Sequence, residues 1–237
     1  MQIGRVSTAM ITPFLPDGSI HFEMVAKLIE HLIATGTDSL VVCGTTGESP
    51  TLTSQEKADL IRFTVETVNK RIPVIAGTGS NSTQASIELT KMADEAGVDG
   101  IMLVTPYYNK PDQRGMYEHF KTIAGVTKLP VLLYNIPGRS VVNMLPETVE
   151  KLSRIPNIHA IKEAGGNLEQ MSDIIASTGD DFDVYSGDDG LTLPLLSIGG
   201  AGVISVASHV VGDDMQRLTR AFNEGRHKDA ATIHHAL

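Results

Sequence analysis

The run "GIMLVT" at residues 100–105 stays apolar at successive positions instead of alternating with polar side chains. A strand with one wet face alternates, whereas a strand covered on both faces does not, so this run reads as a buried strand of a parallel sheet. It stops at "PYYNKPD", where two prolines and an Asn break the pattern, and a helical period begins beyond. Working outward, seven similar runs recur: "VSTAMI" (6–11), "SLVVCG" (39–44), "PVIAGT" (73–78), "PVLLYN" (130–135), "IHAIKE" (158–163), "DVYSGD" (183–188) and "GVISVA" (202–207).

Helical patterns lie between most of them. Phe22, Val25, Leu28, Ile29 and Leu32 fall on one face at a 3.6-residue period, and "TSQE" at 53–56 is a capping box that opens the next helix. Eight strand–helix units in 237 residues fit an α/β fold closed as a (β/α)8 TIM barrel, which typically takes about 250 residues. An open doubly wound sheet is the alternative, but no G-x-G-x-x-G follows the first strand. The eighth helix is expected at about 213–223, with a further helical segment from Lys228. The chain therefore divides into a catalytic barrel over residues 1–225 and, over 226–237, only the beginning of a C-terminal helical extension, whose apolar face is expected to have nothing to pack on.

Nineteen basic against 28 acidic residues give a net charge of −9 without a basic cluster, which speaks against nucleic acid or an anionic membrane as partner. An anionic ligand would need a local cation to draw it in. The single cysteine, Cys43, sits in an apolar run and excludes an internal disulfide framework or a cysteine metal site. The eight histidines show no H-x-x-x-H spacing, so no metal site is expected. No run reaches a membrane span and the first residues lack a secretory pattern, so the expected location is the cytoplasm.

Barrel active sites lie at the C-terminal ends of the strands. There the sequence places "GTTGES", "GTGSN", "TPYYNKP", "YNIPGRS", "IKEAGGN" and "SGDDG". Lys162 ends an apolar strand. It either snorkels to water or pairs with Glu163, or it is held neutral by desolvation and serves as an imine-forming nucleophile. Tyr134 closes the fifth strand, either as a core-edge residue or as a proton carrier beside the lysine amine, with Thr45 and Thr46 as neighbouring hydroxyls. "GTTGES" is a tight turn or an anion nest, and it is no P-loop, since G-K-[ST] is missing. Arg139, after a Pro-Gly turn, has the planar fork that grips a carboxylate. Tyr107 and Tyr108, between Pro106 and Pro111, suit an interface as well as a site.

These motifs, in this order and at these spacings, resemble the dihydrodipicolinate synthases of the N-acetylneuraminate lyase superfamily of class I aldolases, from Gly4 to Leu237. The resemblance implies condensation of pyruvate with L-aspartate semialdehyde to 4-hydroxy-tetrahydrodipicolinate, in diaminopimelate and lysine biosynthesis, with no organic cofactor needed either. It implies that Lys162 forms the imine with pyruvate and that Tyr134, Thr45 and Tyr108 relay protons, Tyr108 being donated across a subunit interface of a homo-oligomer. Thr46 would hold the pyruvate carboxylate, Arg139 the carboxylate of the aldehyde, and Gly187 and Ile204 would supply backbone near the lysine.

Many members of this group are inhibited by lysine bound near the position of Tyr107 through a histidine and an acidic residue. Here those positions are Lys57 and Ala85, so insensitivity to lysine is expected. Members usually continue with more helices than this sequence holds, which puts stability and assembly at issue. The rival readings are a sister aldolase acting on N-acetylneuraminate or keto-deoxy-sugar acids, and a shortened barrel of little activity serving as a scaffold.

Overall fold

The structure is a computed structural model and describes residues 3–237. Eight parallel strands close into a barrel in sequence order: β1 (Val6–Ala9), β2 (Ser39–Val42), β3 (Val74–Gly77), β4 (Gly100–Val104), β5 (Val131–Asn135), β6 (Ile158–Glu163), β7 (Asp183–Ser186) and β8 (Gly202–Ser205). Pairing of Val6 with Val203 and Ser7 with Ile204 joins β8 back to β1, so no edge is left open. All eight expected strands are present. Most stop one or two residues before their apolar runs do, because the chain leaves the ladder at the barrel mouth; Cys43, just past β2, already has φ 56°.

The helices around the barrel are α1 (Phe22–Ala34), α2 (Ser54–Val68), α3 (Thr83–Glu95), α4 (Gln113–Ala124), α5 (Pro137–Ser140), α6 (Pro146–Ser153), α7 (Leu168–Ser177), α8 (Thr192–Ser197), α9 (Ser208–Asn223) and α10 (His227–Ala236). On α1 the expected face is the buried one: Val25, Ile29 and Leu32 are fully enclosed, with Phe22 and Leu28 packed beside them. Enclosing each such side chain contributes roughly 1.5–3 kcal/mol. The expected capping box is formed at α2, where Thr53 Oγ1 accepts from Glu56 N at 3.2 Å and Glu56 Oε2 accepts from Thr53 N at 2.8 Å. Among the described residues no helix is long and apolar enough to cross a membrane.

The core has two layers. One lies between the sheet and the helices. The other fills the barrel interior with Ala9, Val41, Ile75, Met102, Leu132, Tyr134, Ala160, Tyr185 and Ile204. Because side chains alternate along a strand, the residue after each interior one faces outward, and this parity sets what reaches the barrel axis.

Three elements differ from expectation. The Pro-Gly turn after β5 is a one-turn helix, α5, ended by Val141 in the left-handed region at φ 67°. The eighth helix begins at Ser208 rather than 213, with a kink at Val211. The segment expected to lack a packing partner has one: α10 lies on α9, Ala230 is buried, and the rings of Phe222 and His227 meet at 5.1 Å. Arg226 at its start bridges Glu224 and Asp229.

Candidate active site

Lys162 and Tyr134 are register partners on β6 and β5, and both point into the barrel interior near its C-terminal mouth. Lys162 is only 4% exposed, so it does not snorkel. Nor does it pair with Glu163. Strand parity sends that carboxylate to the opposite face, where it accepts from Asn135, Gln170 and the Gly165 N–H. Instead the ammonium nitrogen of Lys162 stands 4.6 Å from the centre of the Tyr134 ring. With no carboxylate in contact, burial drops its pKa to about 8, and the charge of Asp189 partly offsets that fall. The first reading of Lys162, a solvated or paired strand-end lysine, is thereby set aside.

The space that the lysine chain occupies exists because residue 187 is glycine. A Cβ there would come within 2.8 Å of Lys162 Cε and 2.6 Å of the Ala164 Cβ. Ile204 lies in the same interior cluster on β8. Tyr134 is 4% exposed, and burial raises its phenol pKa, against the nearby Thr45 hydroxyl and the positive charge of Arg139. Phenol, hydroxyl and amine therefore form a short series at the mouth.

"GTTGES" turns tightly between β2 and α2. Glu48 N–H donates to Thr45 O, Ser49 N–H to Gly44 O, and Thr12 Oγ1 to Gly47 O at 2.7 Å, which pins the turn to the loop after β1. Thr45 is exposed and Thr46 half-buried. A cavity of about 510 Å³ opens beside this turn. Thr45, Tyr134, Arg139 and Tyr107 line it, together with Lys57, Ala85 and Glu88. Arg139 is carried there by α5, whose last turn is closed by Ser140 Oγ donating to the carbonyls of Ile136 and Val142.

Tyr108 is not part of this cavity in its own chain. It is 88% exposed and its backbone is left-handed, at φ 72°, an uncommon state for a bulky residue.

Sequence reasoning passed over several residues at the site. Asp189 accepts from Ser205 Oγ and from the N–H groups of Val206 and Ala207, which places a fixed negative charge near the lysine. Tyr185 is the register partner of Lys162 on β7. Glu88 brings a carboxylate to the cavity one turn along α3 from Ala85. Asn135 and Gln170 hold Glu163. Asp189 and Tyr185 sat inside quoted motifs, whereas Glu88 and Gln170 are ordinary helix residues whose roles exist only in three dimensions.

The chain matches the Dihydrodipicolinate synthetase family over residues 2–237. It is 61% identical to the 4-hydroxy-tetrahydrodipicolinate synthase of Bacillus velezensis over its whole length, which spans 82% of that relative. Its fold superposes with a TM-score of 0.98 on the dihydrodipicolinate synthase of Bacillus anthracis, at 58% identity, covering 99% of this chain and 80% of that one. The enzyme of Cyanidioschyzon merolae, solved with lysine bound, gives a TM-score of 0.96 at 49% identity, covering 98% of this chain and 80% of that one.

Proposed function

Since this chain belongs to the dihydrodipicolinate synthetase family, we infer that it is a lyase of the class I aldolase type that condenses pyruvate with L-aspartate semialdehyde to give 4-hydroxy-tetrahydrodipicolinate. The observation that carries this reading is the desolvated Lys162 stacked on Tyr134 at the barrel mouth, with Thr45 lining the same cavity as the phenol.

At pH 7 a lysine with a pKa of about 8 is free amine about one time in ten, against fewer than about one in a thousand at 10.5. The free amine attacks the ketone carbon of pyruvate, and loss of water leaves an imine. Its nitrogen, protonated, is an electron sink that acidifies the adjoining methyl group. Loss of one methyl proton gives an enamine whose carbon attacks the aldehyde, forming the carbon–carbon bond. The amino group of the aldehyde substrate then adds to the imine carbon, closes the ring and releases Lys162 as an amine. Each step moves a proton to or from a heteroatom near the lysine. We assign that traffic to Tyr134 and Thr45, and the carboxylates of the aldehyde and of pyruvate to Arg139 and Thr46. Gly187 and Ile204 shape the wall around the lysine. Tyr108, exposed on its own subunit, completes the relay in a neighbouring one. Purified protein given both substrates should form product without added metal; cleavage of N-acetylneuraminate with no condensation would overturn the assignment.

The same reading covers regulation. Lys57 puts an ammonium on the cavity wall and Ala85 has no charge to offer a bound lysine. Glu88 is also on that wall, but its Oε1 already accepts from Gln84 Nε2 at 3.0 Å. Free lysine at millimolar concentration is therefore expected to leave the rate unchanged, and inhibition in that range would contradict the proposal.

A further inference from the structure

Behind the reactive pair, on the outer face of the same two strand tips, lies a second pair: Asn135, next to Tyr134, is the register partner of Glu163, next to Lys162. Both are fully buried. Asn135 Nδ2 donates to Glu163 Oε2 at 2.9 Å, Gln170 Nε2 donates to the same oxygen at 3.1 Å, and Gly165 N–H donates to Oε1 at 2.8 Å. Every contact on the carboxylate is a donor, and among the described residues no Lys, Arg or His lies within salt-bridge distance of it. A buried anion without a cation is costly, and here it is satisfied by amides alone.

The network continues away from the strands. Asn135 Nδ2 also donates to Asn143 Oδ1 at 2.7 Å, Asn135 Oδ1 accepts from Met144 N–H at 3.0 Å, and Asn143 Nδ2 donates to Gln170 Oε1 at 2.7 Å. These bonds anchor the segment that follows α5 and hence one end of the loop carrying Arg139. The other end is held by packing, since a Cβ on Gly165 would come within 2.7 Å of Glu163 Oε1 and 3.4 Å of Pro137.

From this geometry we propose that Glu163 is a positioning residue for the reaction: its carboxylate clamps the β5 and β6 tips at the spacing that sets Lys162 on Tyr134, and through Asn135 and Asn143 it sets the loop that bears Arg139. The proposal rests on the reading of Lys162 as the imine-forming residue. The polarity of the network makes the carboxylate irreplaceable by its amide. In Glu163→Gln one oxygen becomes an NH2 group facing donors. Turning Asn135 over would put its NH2 against Met144 N–H, and turning Gln170 over would put its NH2 against Asn143 Nδ2. No rearrangement within this set restores every bond.

The test compares wild type, Glu163→Gln and Asn143→Ala, each confirmed folded by circular dichroism. Two quantities are read: the rate at which pyruvate yields a borohydride-trapped adduct on Lys162, and KM for each substrate. Glu163→Gln is expected to slow imine formation and raise KM for the aldehyde, each by roughly tenfold or more, as displacement of reacting groups by a fraction of an ångström does. Asn143→Ala removes the side-chain bonds from Asn135 and Gln170 to Asn143 in the segment after α5, leaves Glu163 its own three donors, and remains testable should the buried substitution fail to fold. It is expected to raise KM for the aldehyde while imine formation stays close to the wild-type rate. Thermal midpoints lowered with both kinetic quantities unchanged would overturn the proposal, leaving the network a purely structural one. Absence of adduct in folded wild type would instead overturn the imine reading on which it stands.

Discussion

At the scale of the residue, the proposed chemistry depends on one buried amine whose protonation is set by its surroundings. Burial drives the pKa of Lys162 down to about 8, and Asp189 opposes that shift. Only the free amine attacks a carbonyl, so the rate of imine formation should rise with pH, bend near 8 and level off above it. A rate still climbing tenfold per unit beyond pH 9 would show an ordinary lysine. Asp189→Asn removes the charge that stabilises the ammonium, so the bend is expected at lower pH; an unmoved or raised midpoint would contradict the electrostatics. Lys162 itself was legible in the sequence, because an ammonium in an apolar run demands an explanation. The choice between its meanings was not, for it depends on strand parity, which sends Glu163 outward and leaves Lys162 over a ring.

At the scale of the element, the strands were legible from their apolar runs, but their ends were not. The residues that continue each run past the ladder are the ones that turn across the barrel mouth. Pro137-Gly138 reads as a turn in any sequence, and only the backbone bonds from Ser140 N–H to Ile136 O and from Val141 N–H to Pro137 O show it to be the opening of a helix that carries Arg139. The α2 N-terminus was read correctly because a capping box is local. That cap closes the N-terminus of the helix bearing Lys57. Thr53→Ala removes the side-chain acceptor for Glu56 N–H and should lower stability by about 1 kcal/mol. Urea unfolding should show an earlier midpoint at an unchanged slope, and a midpoint equal to wild type would mean that tertiary packing alone holds α2 in place.

At the scale of the whole molecule, closure of the barrel brings residues from β2, β5, β6, β7 and β8 to one mouth, against a net charge of −9 that repels the pyruvate anion and the carboxylate end of the zwitterionic aldehyde. We assign the local attraction to Arg139. One proposed member of the relay lies outside the mouth of its own barrel: Tyr108 is exposed in a strained backbone conformation, a state that contact with a second subunit would make useful. Sequence alone could place the two tyrosines on a loop but not say which chain they serve. If Tyr108 crosses to a neighbour, then Tyr108→Phe and Lys162→Met, each nearly inactive, should regain up to about a quarter of wild-type activity when their subunits are exchanged in equal amounts, since about half of all dimers are then mixed and each mixed dimer carries one intact site in two. No recovery in a mixture shown to exchange would confine each site to one chain. Every part of this account, from desolvation to clamp to subunit crossing, presumes that Lys162 bonds covalently to pyruvate. The most direct test is borohydride reduction of the folded protein with and without pyruvate, followed by peptide mass analysis. The account predicts a pyruvate-dependent adduct on the peptide containing Lys162 and none in Lys162→Met; a folded wild type that gains no adduct there would contradict it.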